Sequence, residues 1–207
     1  MFVNRKEAGK QIQRTICPEL SLPLDIIVAI PRGGVEIAHP IALQQKKPID
    51  LIFPRKLRTP QNPEYAFGAI MDKDTYYLNH ETIERLSITQ SYIKSEIQHQ
   101  LLEIDRRKKQ FQTQHQNFNN QSILLVDDGI ATGYTMLAAA NYLSKYTDNL
   151  VIAVPVASQH AYLKLKDICR IEALIIDENL TSVGAYYQSF PQTEDSEVIK
   201  LLNDIKD

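Results

Sequence analysis

The chain has 207 residues, 23 Lys and Arg against 25 Asp and Glu, and a formal net charge of −2. Near neutrality excludes the basic footprint of a duplex nucleic-acid binder, and no apolar run approaches the roughly 18 residues of a membrane-spanning helix. The length suits one domain with a sizeable core. The two cysteines, Cys17 and Cys169, match no zinc or redox spacing, and the five histidines form no HExxH-type cluster. Reduced buried thiols in a cytoplasmic protein, and no metal held by protein side chains alone, are therefore expected. The start, MFVNRKEAGKQIQR, is polar and amphipathic, without a secretory apolar region.

Residues 4–16 read as a helix: Asn4 and Glu7 resemble a capping box, and Ala8, Ile12 and Ile16 recur every fourth residue. Asp25–Ile30 is a short, β-branched apolar run, the pattern of a strand buried on both faces. Pro31-Arg-Gly-Gly34 follows as a loop, then a helix to about Gln45 and a second strand at Ile49–Phe53. Pro54, Pro60 and Pro63 mark 54–66 as loop. Phe67–Met71 and Thr75–Leu78 form either a hairpin or one interrupted strand. A long helix is predicted over 89–111, with Ile93, Ile97, Leu101, Ile104 and Phe111 on one face and the solvated cluster Arg106-Arg-Lys-Lys109 near its end. The Gln/Asn-rich stretch 110–121 reads as an exposed connection. Ser122–Val126 is the most apolar strand candidate. After the loop that follows it comes a helix with Met136, Ala140 and Leu143 on one face, a strand at Leu150–Val154, a helix over 159–167, a strand at Ile171–Ile176, an irregular tail, and a helix from about Asp195. Apolar strands alternating with amphipathic helices predict an α/β fold with a mostly parallel sheet.

The most informative segment is Ile123-Leu-Leu-Val-Asp-Asp-Gly-Ile-Ala-Thr-Gly-Tyr-Thr135. A buried strand ends at Val126, and Asp127 and Asp128 sit at its carboxyl tip, where open α/β sheets bind ligands. The small-residue loop Ala131-Thr-Gly-Tyr-Thr135 then enters a helix, whose first N–H groups, with the Thr132 and Thr135 hydroxyls, can enclose a phosphate. Gly133 allows close backbone approach. Acids that accept hydrogen bonds from hydroxyls beside a phosphate cradle suit a sugar phosphate.

This segment resembles the phosphoribosyl-pyrophosphate (PRPP) signature of type I phosphoribosyltransferases. The resemblance implies that Asp127 and Asp128 bind the ribose 2′- and 3′-hydroxyls and that Ala131, Thr132, Gly133, Tyr134 and Thr135 hold the 5′-phosphate. Pro31, Arg32, Gly33 and Gly34 are similar to the family's pyrophosphate loop, in which paired glycines expose N–H donors at a helix start and Arg32 adds a fixed charge. Matching the loops places a non-proline cis peptide at Pro31–Arg32. The segment Pro54–Gly68 resembles the mobile catalytic loop, with Arg55, Lys56 and Arg58 as the cations that neutralise the departing pyrophosphate and closure as the means of excluding water. The 6-oxopurine branch carries an acid at the first position of the phosphate loop. Ala131 stands there, so the pattern is nearer the adenine and xanthine branches, with Glu64 as the candidate substitute acid or base. Asp177–Phe190 and the N-terminus would build a hood, where Tyr186, Tyr187 or Phe190 stack on an aromatic acceptor.

Taken with FVNRKEAG, RKLRTPQNPEYAFGAI and VGAYYQSF, the motifs resemble a subgroup of predicted phosphoribosyltransferases whose acceptor is not established. The implied fold is a flavodoxin-like parallel sheet flanked by helices: one domain over 1–207, with a core at about 21–176 and a hood from about 1–20 and 177–207. The implied reaction transfers the 5-phosphoribosyl group from PRPP to a nitrogenous acceptor, a nucleobase, with release of pyrophosphate. Mg²⁺ would ride on pyrophosphate and ribose oxygens, and a homodimer is the family's common form. The alternative is a non-catalytic PRPP- or nucleotide-sensing module of the same fold. A receiver-like domain fits poorly, because its acid pair belongs after the first strand, where PRGG stands.

Overall fold

The computed structural model describes residues 1–20, 23–63, 65–112 and 117–205. In chain order the elements are α1 (Arg5–Thr15), β1 (Ile26–Ala29), α2 (Gly33–Gln45), β2 (Ile49–Leu51), β3 (Arg55–Arg58), β4 (Ala66–Asp72), β5 (Thr75–Leu78), α3 (His80–Arg85), α4 (Gln90–Gln110), β6 (Ile123–Val126), α5 (Tyr134–Leu143), β7 (Leu150–Ser158), α6 (Gln159–Lys166), β8 (Arg170–Asp177) and α7 (Asp195–Asn203). Five strands form a parallel sheet in the order β2-β1-β6-β7-β8, the expected flavodoxin-like arrangement. Strand order reverses between β1 and β6, and that switch point opens a crevice at the carboxyl ends of the two strands.

Alternation along β1 explains why its apolar run is continuous. Ile27 and Ala29 pack into one core with Val35, Ile37 and Ile41 of α2, while Ile26, Val28 and Ile30 pack into another with Leu137, Ala140 and Leu143 of α5. Each face of the sheet thus has its own apolar layer. Gly9 lets α1 cross α2 in near backbone contact, since a methyl there would lie 2.4 Å from the Ile37 carbonyl oxygen. Pro155 is tolerated inside β7 because it lies beyond the last β6 pair, Val126–Ala153. Both thiols are free, and burial pushes Cys17 up to about 11 and Cys169 up to about 12, so both stay protonated.

The chief departure from expectation is the segment 54–66. Instead of a loop it contributes β3, antiparallel to β4, and β4 continues into β5 as a hairpin, giving a separate three-stranded sheet in the order β3-β4-β5. Prolines bracket the strand at Pro54 and in the turn at Pro60 and Pro63, while Leu57, fully buried, anchors it between polar neighbours. The sheet packs on α4 and α5. Gly68 makes the β4–β5 pairing close: a methyl there would lie 2.1 Å from the Tyr77 carbonyl oxygen, a backbone atom. Gly68→Ala is therefore expected to cost about 1–3 kcal/mol, measured as a lower urea midpoint at unchanged slope. An unchanged midpoint would mean that the hairpin separates without cost.

Candidate active site

The two signature loops leave neighbouring strands at the same end of the sheet, because Ala29 of β1 pairs with Val126 of β6. They interlock there. The Ile30 N–H donates to the Val126 carbonyl at 3.1 Å. A methyl on Gly33 would fall 2.0 Å from Asp128 Oδ2, and one on Gly34 would fall 2.9 Å from the Val126 carbonyl oxygen. Only glycine permits the Pro31–Gly34 turn to lie directly against the acid pair. The Pro31–Arg32 peptide is cis, as the matched loops imply.

The loop 129–135 is held from the other side by β7. The Ile130 N–H donates to the Val156 carbonyl and the Ser158 N–H to the Ile130 carbonyl, both at 2.8 Å. The Ser158 hydroxyl donates to the Ala131 carbonyl at 2.5 Å. Gly133 takes a left-handed conformation at φ 80° as the N-cap of α5, and Leu137 closes the first turn by donating to its carbonyl at 2.8 Å. The earlier N–H groups have no intrahelical acceptor.

A cleft of about 140 Å³ gathers these groups: Lys56, Asp127, Gly129, Ala131 through Gly133, and Thr135 line it, backed by Ile130, Met136 and Val183. Lys56 reaches the phosphate loop from β3, on the face opposite Leu57. A larger depression of about 830 Å³ lies along the β2 edge, between Lys46, Phe111 and Ile199, and contains none of the motif residues. Chemistry rather than volume selects the small cleft.

The acid pair is strongly desolvated. Asp127 Oδ1 accepts from the Asp128 N–H at 2.8 Å, while burial first and the neighbouring Asp128 second push its carboxyl well above the usual range. Burial also raises Asp128, opposed by Arg5, whose Nε donates to Asp128 Oδ2 at 2.8 Å. Arg5 Nη1 donates to the Pro191 carbonyl at 2.7 Å and to Glu36 Oε1 at 3.5 Å. Its guanidinium carbon lies 3.6 Å from the centre of the Phe190 ring. Glu36 also accepts from the Thr193 hydroxyl. Among the described residues no group of three or more His, Cys, Asp and Glu converges as a metal cage.

Several predicted site residues are placed differently from expectation. Arg55 points away from the cleft: its Nε donates to Gln100 of α4 at 3.1 Å, and burial, then nearby Arg107, lowers its pKa. Strand alternation sends it and Lys56 to opposite faces. Arg58 is exposed outside the cleft lining, its N–H bonded to Glu96 at 3.0 Å. Glu64 lies outside the described residues. The Tyr134 side chain turns toward β5, where its hydroxyl accepts from Asn79 at 2.6 Å, so only its backbone faces the phosphate loop. Arg32 forms an ion pair with Asp195 of α7 at 3.8 Å.

Of the hood aromatics, Tyr187 is buried between Phe2 and Phe190, and its hydroxyl donates to the Asp128 carbonyl at 2.6 Å. It supports the acid turn from beneath and has no free face for an acceptor. Phe190 has one face under Arg5. Tyr186, half-buried, donates to Asp177. The pairing of Phe2 with Tyr187 brings both chain ends over the acids. Sequence reasoning missed Arg5, Glu36 and Ser158. The only available signal was that the first helix and the tail flank motifs that need covering.

A five-stranded parallel sheet flanked by helices, with two interlocked glycine-bearing loops and an acid pair at its switch point, is the type I phosphoribosyltransferase fold. The family model described as phosphoribosyl transferase domain matches residues 10–188. The chain belongs to this family. It is 30% identical over 207 residues to proteins of two Mycobacterium tuberculosis strains named "Putative phosphoribosyl transferase", covering 98% of this chain and 46% of theirs. The chain thus spans about half the length of the curated relatives it matches. Among solved structures, TT1426 from Thermus thermophilus is 30% identical with a TM-score of 0.80, covering 98% of each chain. A hypothetical protein from Neisseria gonorrhoeae, solved with bound ppGpp, is 13% identical with a TM-score of 0.53, covering 99% of this chain and 96% of that one. That second likeness is one of fold alone.

Proposed function

We propose that this chain transfers the 5-phosphoribosyl group from PRPP to a nitrogenous acceptor, a nucleobase, and releases pyrophosphate. The observation that carries this reading is the single cleft shared by Asp127, the Ala131–Thr135 loop and Lys56. The helix start and loop N–H groups bind the 5′-phosphate, and Asp127 and Asp128 accept hydrogen bonds from the ribose hydroxyls. The Gly33 N–H at the start of α2 is offered to the pyrophosphate, the Gly34 N–H being bonded to the Ile30 carbonyl at 3.1 Å. Lys56 supplies a positive charge where negative charge grows on the leaving group as the ribose becomes oxocarbenium-like. Arg58, exposed two residues along the strand and outside the cleft lining, is the second cation assigned to that anion. Tyr186, half-buried with its hydroxyl on Asp177, is the hood ring assigned to the acceptor base.

Mg²⁺ belongs to this proposal as an ion carried on PRPP oxygens, where it neutralises pyrophosphate. The donor chemistry suits that role, since the two carboxylates Asp127 and Asp128 are hard oxygen donors and Mg²⁺ is commonly bound through one or two carboxylates together with substrate phosphates.

The test is PRPP with Mg²⁺ and a panel of purines, pyrimidines and simple amines, followed by pyrophosphate release and by calorimetry of PRPP binding. Acceptor-dependent release is expected. Tight PRPP binding without release from any acceptor would replace catalysis with sensing, and absence of PRPP binding would overturn the site assignment.

A further inference from the structure

We propose that Arg5 is a positioning residue for PRPP: it fixes the Asp128 carboxylate by engaging one oxygen, which leaves the other to accept from a ribose hydroxyl. This inference rests on the reading of the acid pair as the ribose site. Arg5 stands on α1, far from both signature motifs in the chain, yet its side chain is only 7% exposed. A buried arginine is rare unless paired. For stability alone an apolar residue of similar volume would serve as well or better at such a position. Here the guanidinium is instead held in one orientation by Asp128, the Pro191 carbonyl, Glu36 and the Phe190 ring. The proline and the ring belong to the C-terminal segment, so both chain ends set the angle at which Arg5 meets Asp128.

Among the described residues, the charged and titratable groups facing Asp128 are Arg5 from α1, Asp127 beside it and Tyr187 from the tail, while Glu36 of α2 meets the other end of the Arg5 guanidinium. Arg5 is the one cation in that set. Without it, burial would favour a protonated Asp128. A protonated carboxyl accepts from a ribose hydroxyl without charge assistance and so more weakly. The sign follows: losing Arg5 raises the pKa of Asp128, so PRPP binding is lost at a higher pH as the solution is acidified.

The experiment compares the wild type with Arg5→Gln and Arg5→Lys. PRPP dissociation constants are measured by calorimetry from about pH 5 to about pH 9, and the Asp128 carboxyl is titrated by carbon NMR in the ligand-free protein. Arg5→Gln is expected to bind PRPP about tenfold more weakly near neutrality, with the acidic limb of its profile moved to higher pH and Asp128 titrating higher. Arg5→Lys keeps the charge but cannot keep both the Asp128 and Pro191 bonds, so it should fall between the other two. A folded Arg5→Gln with wild-type affinity, acidic limb and Asp128 titration would overturn the proposal. If Arg5→Gln does not fold, Arg5→Lys decides it: an Asp128 titration and PRPP affinity equal to the wild type would overturn it. If the wild type itself does not bind PRPP, the ribose reading fails. The NMR titration then judges Arg5 separately, and equal values with and without the guanidinium would overturn its role.

Discussion

Replacing both acids, Asp127→Asn with Asp128→Asn, is expected to weaken PRPP binding at least tenfold. A hydrogen bond to a charged group contributes about 1.5–3 kcal/mol, and about 1.4 kcal/mol corresponds to tenfold in affinity. The amide oxygens of Asn still accept, but without charge, which is why tenfold is a floor rather than a complete loss. Isothermal calorimetry reads the change directly, and unchanged affinity would remove the acids from the ribose site. The same pair sets a pH dependence. Burial pushes both carboxyls up, Asp127 furthest, with Asp128 as its second cause. Binding should therefore fall, on acidification, at a higher pH than two solvated carboxylates would give, and the double Asn variant should lose that acidic limb.

Lys56→Ala is expected to lower turnover by about 10²-fold, the order found when one preorganised group that stabilises developing charge is removed, while PRPP affinity falls much less. The split follows from where the charge acts: negative charge on the leaving pyrophosphate is greater in the transition state than in bound PRPP. Arg55→Ala should behave differently although the two residues are adjacent. Arg55 is bonded to Gln100, so its loss should appear mainly as lower stability, about 1 kcal/mol by urea unfolding. Steady-state kinetics on both variants tests the division. Equal losses in turnover would mean that Arg55 also reaches the leaving group, and equal losses of affinity and turnover in Lys56→Ala would reduce Lys56 to a docking contact.

Much of the fold is legible in the sequence because it depends on short-range pattern. Ile26–Ala29 and Ile123–Val126 are continuous apolar runs because both faces of their strands are covered, and the glycine-bearing loops after them mark where the two strands hand over to their helices. The segment around Arg55 reads as loop for a physical reason. A four-residue strand with one buried apolar side chain carries almost no periodicity, and its partner β4 pairs with it only after a proline-rich turn. The same short alternation divides Arg55 from Lys56, which spacing alone could not do. Helix α3 is six residues long and escapes periodicity on the same grounds.

The sequence by itself determined the class of fold, the two glycine-bearing loops and the acid pair, because each is written in consecutive residues whose backbone conformation and chemistry are local. Tertiary structure alone decided which cation faces the cleft, which hood aromatics are buried, and that Arg5 meets Asp128 across 123 positions of chain. Those outcomes depend on strand alternation, on the crossing of α1 over α2 and on the pairing of the chain ends. Each is set by the burial of distant surfaces against one another, and no local spacing records it.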